Sequence, residues 1–60
     1  MYKKVRIKSS GISGTVVDIL KSNGKVIYTI ESDTENTPGG YGGKWKLYEC
    51  EENDLEFLTE

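Results

Sequence analysis

"TVVDILKSNGKVIYTIES", residues 15–32, decides the fold. At its centre stands Asn23-Gly24. This pair favours positive φ at both positions, which is what a two-residue type I′ hairpin turn requires. On one side lies TVVDIL (15–20). On the other lies KVIYTIES (25–32), where Val26, Tyr28 and Ile30 share one face and Ile27 and Thr29 the other. Both runs are rich in β-branched residues, which suit a pleated surface, so the turn joins two antiparallel strands. Val16 and Val17 are consecutive, and a regular strand would point them to opposite faces. Either both faces are partly covered, or the strand bends or bulges here.

Toward the N-terminus, YKKVRIKS (2–9) alternates Val5 and Ile7 with Lys4, Arg6 and Lys8, the period of a half-buried strand. SGISG (10–14) is a short loop with two glycines. Toward the C-terminus, DTENTPGGYGG (33–43) holds the only proline and four of the seven glycines. It is a loop longer than hairpins use. In KWKLYEC (44–50), Trp45 and Leu47 alternate with Lys46 and Tyr48. EENDLEFL (51–58) begins with a turn, where Asn53 or Asp54 caps a single helical turn by accepting a backbone N–H. Leu55, Phe57 and Leu58 then form a short last strand. No window carries apolar residues at i, i+3, i+4 and i+7 over three turns, so a long helix is excluded. A closed barrel suits the chain, because an open five-stranded sheet leaves two edges and a bare face. The expected core is Val5, Ile7, Val17, Ile19, Val26, Tyr28, Ile30, Trp45, Leu47, Leu55 and Leu58.

The totals narrow the chemistry. Sixty residues make one domain, 1–60, and a chain this short buries only about 60% of its unfolded surface. Cys50 is the single cysteine, so no internal disulfide forms, and there is no histidine. A structural zinc site is implausible with that donor set. Stability must come from a small apolar core, strand pairing or a partner chain. A lone cysteine suits a reducing compartment. MYKKVRIKSS, at the start, is charged and no apolar run follows, so it does not read as a secretory signal. No stretch is long and apolar enough for a membrane span. The expected setting is cytoplasmic and soluble.

Charge is unevenly placed. Residues 1–30 hold six basic side chains and one acidic (+6 − 1 = +5), whereas residues 31–60 hold two basic and nine acidic (+2 − 9 = −7). In a compact barrel the halves interleave, and the simplest consequence is neutralisation across strands. First-to-last strand pairing would set Lys4, Arg6 and Lys8 beside Glu56 and Glu60. If instead these cations cluster with Lys44 and Lys46 beside an exposed aromatic, they make a polyanion site.

Catalysis finds little support. The usual general base at neutral pH, histidine, is missing. Cys50 lies between Glu49 and Glu51 in sequence, and carboxylates disfavour the thiolate. The acidic run ECEENDLE lacks the spacing and the glycine of an EF-hand loop. No cofactor or metal is expected, and the chain reads as a non-enzymatic module.

Two stretches resemble known domains. GISGTVVDI (11–19) is similar to the turn-and-strand signature of KOW-type and related SH3-like barrels, G-x-x-G-x-V followed by a hydrophobic residue. WKLYECEENDLEFL (45–58) is similar to the close of many short bacterial SH3-like domains: an apolar strand, an acidic turn and Leu-x-x-Leu. The resemblance implies a bacterial all-β protein, a small five-stranded SH3-like barrel, mostly antiparallel, with a one-turn helix before the last strand. KOW domains of ribosomal proteins and transcription factors bind RNA or protein. The sequence pI of about 5.1 and the acidic second half depart from the RNA-binding relatives.

The expected function is binding of a protein partner, or self-association, through the loop TPGGYGGKW (37–45). Gly39, Gly40, Gly42 and Gly43 permit close backbone approach. Tyr41, set among them, offers contact area at low entropic cost, and Trp45 and Tyr48 lie beside it. The competing reading of the loop is a connector whose Tyr41 folds back as a lid. Tyr28 and Tyr48 are also candidates for an aromatic groove, but the ALYDY-like pattern of proline-rich-peptide readers is missing, so no such ligand is expected. The rival function is KOW-like nucleic-acid binding through the basic first strand, by Lys4, Arg6, Lys8, Lys44 and Lys46.

Overall fold

A computed structural model describes residues 3–58. Its strands are β1 (Lys4–Ile7), β2 (Ser13–Ser22), β3 (Lys25–Ser32), β4 (Leu47–Glu51) and β5 (Leu55–Phe57), with a 3₁₀ turn at Glu52–Asp54 before β5. All five strands belong to one antiparallel sheet in the order β4-β3-β2-β1-β5. The hairpin turns at Asn23 and Gly24, with φ of 52° and 77°, as their sequence requires. β3 has the expected limits. β2 is longer than expected at both ends, because Ser13 and Gly14 lie within it rather than in the preceding loop, and Lys21 and Ser22 rather than in the turn.

Val17 is a β-bulge. Val16 faces Ile30 and Asp18 faces Thr29, so Val17 has no partner. The bulge reverses the alternation and corrects the expected core. Val16 is buried and Val17 is exposed. Ile19 shares a face with Tyr28 and Cys50, yet it is 49% exposed. β1 pairs with β2 only over Ser13–Thr15, so nothing from that side covers the far end of the hairpin. Trp45 is also exposed. It precedes β4 in an irregular segment, so its spacing from Leu47 sets no common face. Leu58 follows the end of β5 and is exposed. Val5, Ile7, Ile30 and Leu55 are buried as expected, and Cys50 joins them. Val26, Tyr28 and Leu47 are half-buried.

β4 and β5 are edges of the strand order and share no ladder, so the structure shows one antiparallel sheet without hydrogen-bonded closure. The sheet nonetheless folds over its core. Tyr28 on β3 and Phe57 on β5 stand three strand positions apart, roughly 14 Å in a flat sheet. Their rings meet edge to face at 5.9 Å. The Asp54 carboxylate accepts the Ser9 N–H at 3.1 Å and the Ser9 hydroxyl at 2.9 Å. It therefore ties the β1–β2 turn to the 3₁₀ turn. This differs from the expected cap, since no side chain caps the 3₁₀ turn.

Candidate binding groove

The segment between β3 and β4 is long but firmly held. Its first anchor is Ser32, a buried hydroxyl that donates to Thr34 C=O and accepts the Thr34 N–H at 3.0 Å. Asn36 takes a φ of 60° and its N–H donates to Lys44 C=O at 2.8 Å, which closes the loop on itself. Tyr48 is the central post. Its hydroxyl donates to Pro38 C=O, and Thr37 Oγ1 donates to it at 2.7 Å. Tyr41 exchanges both backbone hydrogen bonds with Leu47, at 3.0 and 2.7 Å. The loop thus adds a single rung to the outer edge of β4.

Gly40 is required by this geometry. Its φ is 65°, and a Cβ there would lie 2.8 Å from Leu47 O and 2.9 Å from the Tyr48 ring. The loop backbone rests on that ring because Gly40 has no side chain.

Between this loop and the β1–β2 turn runs a groove of about 750 Å³. Ile7, Ile12, Leu47, Tyr48 and Cys50 give it an apolar floor, and Ser9, Ser10, Glu49 and Asp54 a polar rim. Of the residues expected to bind, Gly39, Gly40, Tyr41 and Tyr48 line the groove together. Gly42, Gly43 and Trp45 do not line it. Nothing in the sequence indicated Ile12, Ser9 or Asp54. Which loop faces β4 follows from the curl of the sheet, and no local pattern encodes that.

Tyr41 is 48% exposed although its backbone is fixed, and its hydroxyl donates to Glu49 at 3.2 Å. Partial desolvation, then the charge and hydrogen bond of Glu49 and the charge of Asp18, push its phenol above the ordinary value. Burial, and then the Asp54 carboxylate, push the Cys50 thiol up. The thiolate is thus disfavoured mainly by the core around it, whereas the sequence pointed to Glu49 and Glu51. Among the described residues, no three acidic or thiol groups converge as a metal-ligand set.

The expected basic face is divided. Arg6 pairs with Glu56, its direct cross-strand neighbour. Lys4 pairs with Asp33 at 2.9 Å, where Glu56 and Glu60 had been expected; Glu60 lies outside the described residues. Lys8, Lys44 and Lys46 make no ion pair among the described residues, and no helix there is long and apolar enough to cross a membrane. Compared with protein-family models, curated proteins and solved structures, the chain matches none, so the KOW-like and SH3-like resemblances rest on residues 11–19 and 45–58 themselves.

Proposed function

We propose that this chain is a small non-enzymatic binding module that engages a protein partner in the groove between the β1–β2 turn and the β3–β4 loop. The observation that carries the reading is the pairing of an apolar floor with an exposed, backbone-anchored tyrosine at its rim. Concave apolar sites with a few polar groups are where ligands bind, and a fixed aromatic loses little entropy on contact. Strand order and curl support assignment to the small SH3-like barrels, the five strands wrapping one core. The lone, buried thiol suits a reducing cytoplasm, and a bacterial origin rests on the resemblance of residues 11–19 and 45–58 alone.

The rival reading, KOW-like nucleic-acid binding, needs free cations on the first strand. The ion pairs of Lys4 and Arg6 weaken it, since phosphate affinity comes from cations available to replace counterions.

Selection of displayed random peptides against the wild type and Tyr41→Ala tests the proposal. Peptides should be enriched on the wild type, lose at least tenfold in affinity on Tyr41→Ala, and shift the backbone resonances of Ile12 and Tyr48. The reading fails if no peptide is enriched while a mixed RNA and duplex DNA pool binds with a steep salt dependence that Lys4→Glu, Arg6→Glu and Lys8→Glu abolish.

A further inference from the structure

The outer edge of β4 leaves backbone hydrogen-bonding groups unused. Leu47 turns its N–H and C=O away from β3 to meet Tyr41. Alternation along an antiparallel strand turns the N–H and C=O of Glu49, and the N–H of Glu51, the same way. Beyond Tyr41 the loop does not continue the ladder, because Gly39 and Gly40, at φ of 73° and 65°, turn the chain away. Outside the regular strands, the backbone hydrogen bonds of the described residues use neither Glu49 nor Glu51. The open edge runs along the groove, which Glu49 and Cys50 line.

We propose that this edge takes up an extended segment of another protein as an added strand, with Lys or Arg alternating with aliphatic residues. The assignment rests on reading the groove as a protein-binding site and names the partner's chemistry. Charge selects it. On the outward face, Glu49 lies in register with Thr29 and Asp18, and Glu51 with Ile27 and Leu20. No cation shares those rows; Lys25, on the same face as Ile27, borders a pocket with Glu51, whereas no cation lines the groove beside Glu49. An added strand therefore meets carboxylates on its outward side and the apolar floor at Tyr48 and Cys50 on its inward side. The chain already uses this pairing at its other end, where Arg6 stands opposite Glu56.

A second copy is a poor occupant. The edges it offers are β4, with Glu49 and Glu51, and β5, with Glu56. Either combination sets like charges across the new ladder, which is destabilising. Charges on an edge are a common guard against pairing between copies. Here the guard opposes acidic strands and favours a basic one.

The probe is the capped peptide acetyl-Lys-Val-Arg-Val-Lys-Val-Lys-amide, titrated into the isotopically labelled protein. Binding should shift the Glu49 and Glu51 amides and slow their hydrogen exchange. N-methylation of the edge-facing peptide amides should abolish binding, whereas N-methylation of the solvent-facing ones should not. Glu49→Lys with Glu51→Lys should weaken binding about tenfold, since opposed charges become like ones. The N-methylated peptides probe the wild type, so that arm stands even if the variant is unfolded.

Equal binding by both N-methylated forms would reduce the effect to charge alone and overturn the assignment. So would equal binding by the peptide with Glu at the basic positions, or a concentration-dependent dimer that protects the same amides. If the basic peptide fails while selected peptides still bind through Tyr41, the edge assignment falls and the groove reading stands. If neither binds, both fall.

Discussion

Single residues set the groove's shape more sharply than their chemistry suggests. Gly14 and Gly11 both belong to the G-x-x-G stretch but are constrained differently. Gly14 is buried where a Cβ would meet Glu31 O at 2.4 Å, whereas Gly11 has open space and a φ of 80°. Gly40 combines both constraints. Gly40→Ala should therefore destabilise the protein by about 2 kcal/mol, from overpacking and left-handed strain together. Gly11→Ala should lose only the conformational share, about 1 kcal/mol. Urea unfolding of the two variants checks the order, and equal losses would mean that the loop does not rest on Tyr48.

Titration belongs at the same scale. Cys50 and Tyr41 both have raised values in the folded protein. The folded state then holds protons that the unfolded chain has already released. Stability from these groups is complete below about pH 8 and declines as pH rises past the ordinary thiol and phenol values of about 8.5 and 10. Unfolding midpoints at pH 7, 9 and 10.5 should fall for the wild type. Cys50→Ala should remove the earlier part of the fall and Tyr41→Phe some of the later part. An undiminished fall in both variants would assign it to other groups.

At the scale of the element, the bulge in β2 decides what is core. Val16→Ala should cost about 2 kcal/mol, because it opens space beside Ile30. Val17→Ala, at an exposed position, should cost under about 0.5 kcal/mol. A reversed order in thermal or chemical unfolding would mean a regular strand with Val17 inside. The hairpin itself was legible, since Asn23-Gly24 and the alternation of β3 are local facts. The bulge is one of two alternatives that the sequence leaves open, because two adjacent valines satisfy either a bulge or two covered faces. β1 and β5 meet through Arg6 and Glu56. Both side chains are about half exposed, so a double-mutant cycle to Ala should return a coupling of about 0.2–1 kcal/mol that shrinks with salt. Zero coupling at low salt would show that the pair follows from strand pairing and contributes nothing to it.

At the scale of the whole molecule, the uneven charge is folded into neighbours. The basic first strand lies against acids from residues 33 and 56. Two acids of the second half remain on the open edge of β4. Phe57→Ala should lose about 2 kcal/mol, less than truncating a fully buried aromatic, because the ring is half-buried and joins β5 to β3 through its edge-to-face contact with Tyr28. Differential scanning calorimetry reads that loss, and a change under 1 kcal/mol would mean that the sheet curls without the contact.

Strand content, the hairpin, the presence of a long β3–β4 loop (though it runs to residue 46 rather than 43, with β4 at Leu47–Glu51) and the residues Val5, Ile7, Ile30 and Leu55 in the core follow from the sequence alone. Each rests on period, turn chemistry or composition, which act between near neighbours. Tyr41 and Tyr48 were legible as candidates for the same reason: they are aromatics in or beside a glycine-rich loop. The place of Ile12 and Asp54 in the groove, the partner of Lys4, the exposure of Trp45 and the open edge at Glu49 were decided only by tertiary structure. They depend on which distant segments the curl of the sheet brings together. That curl is set by packing across the core and by one bulge, whose position two adjacent valines leave ambiguous.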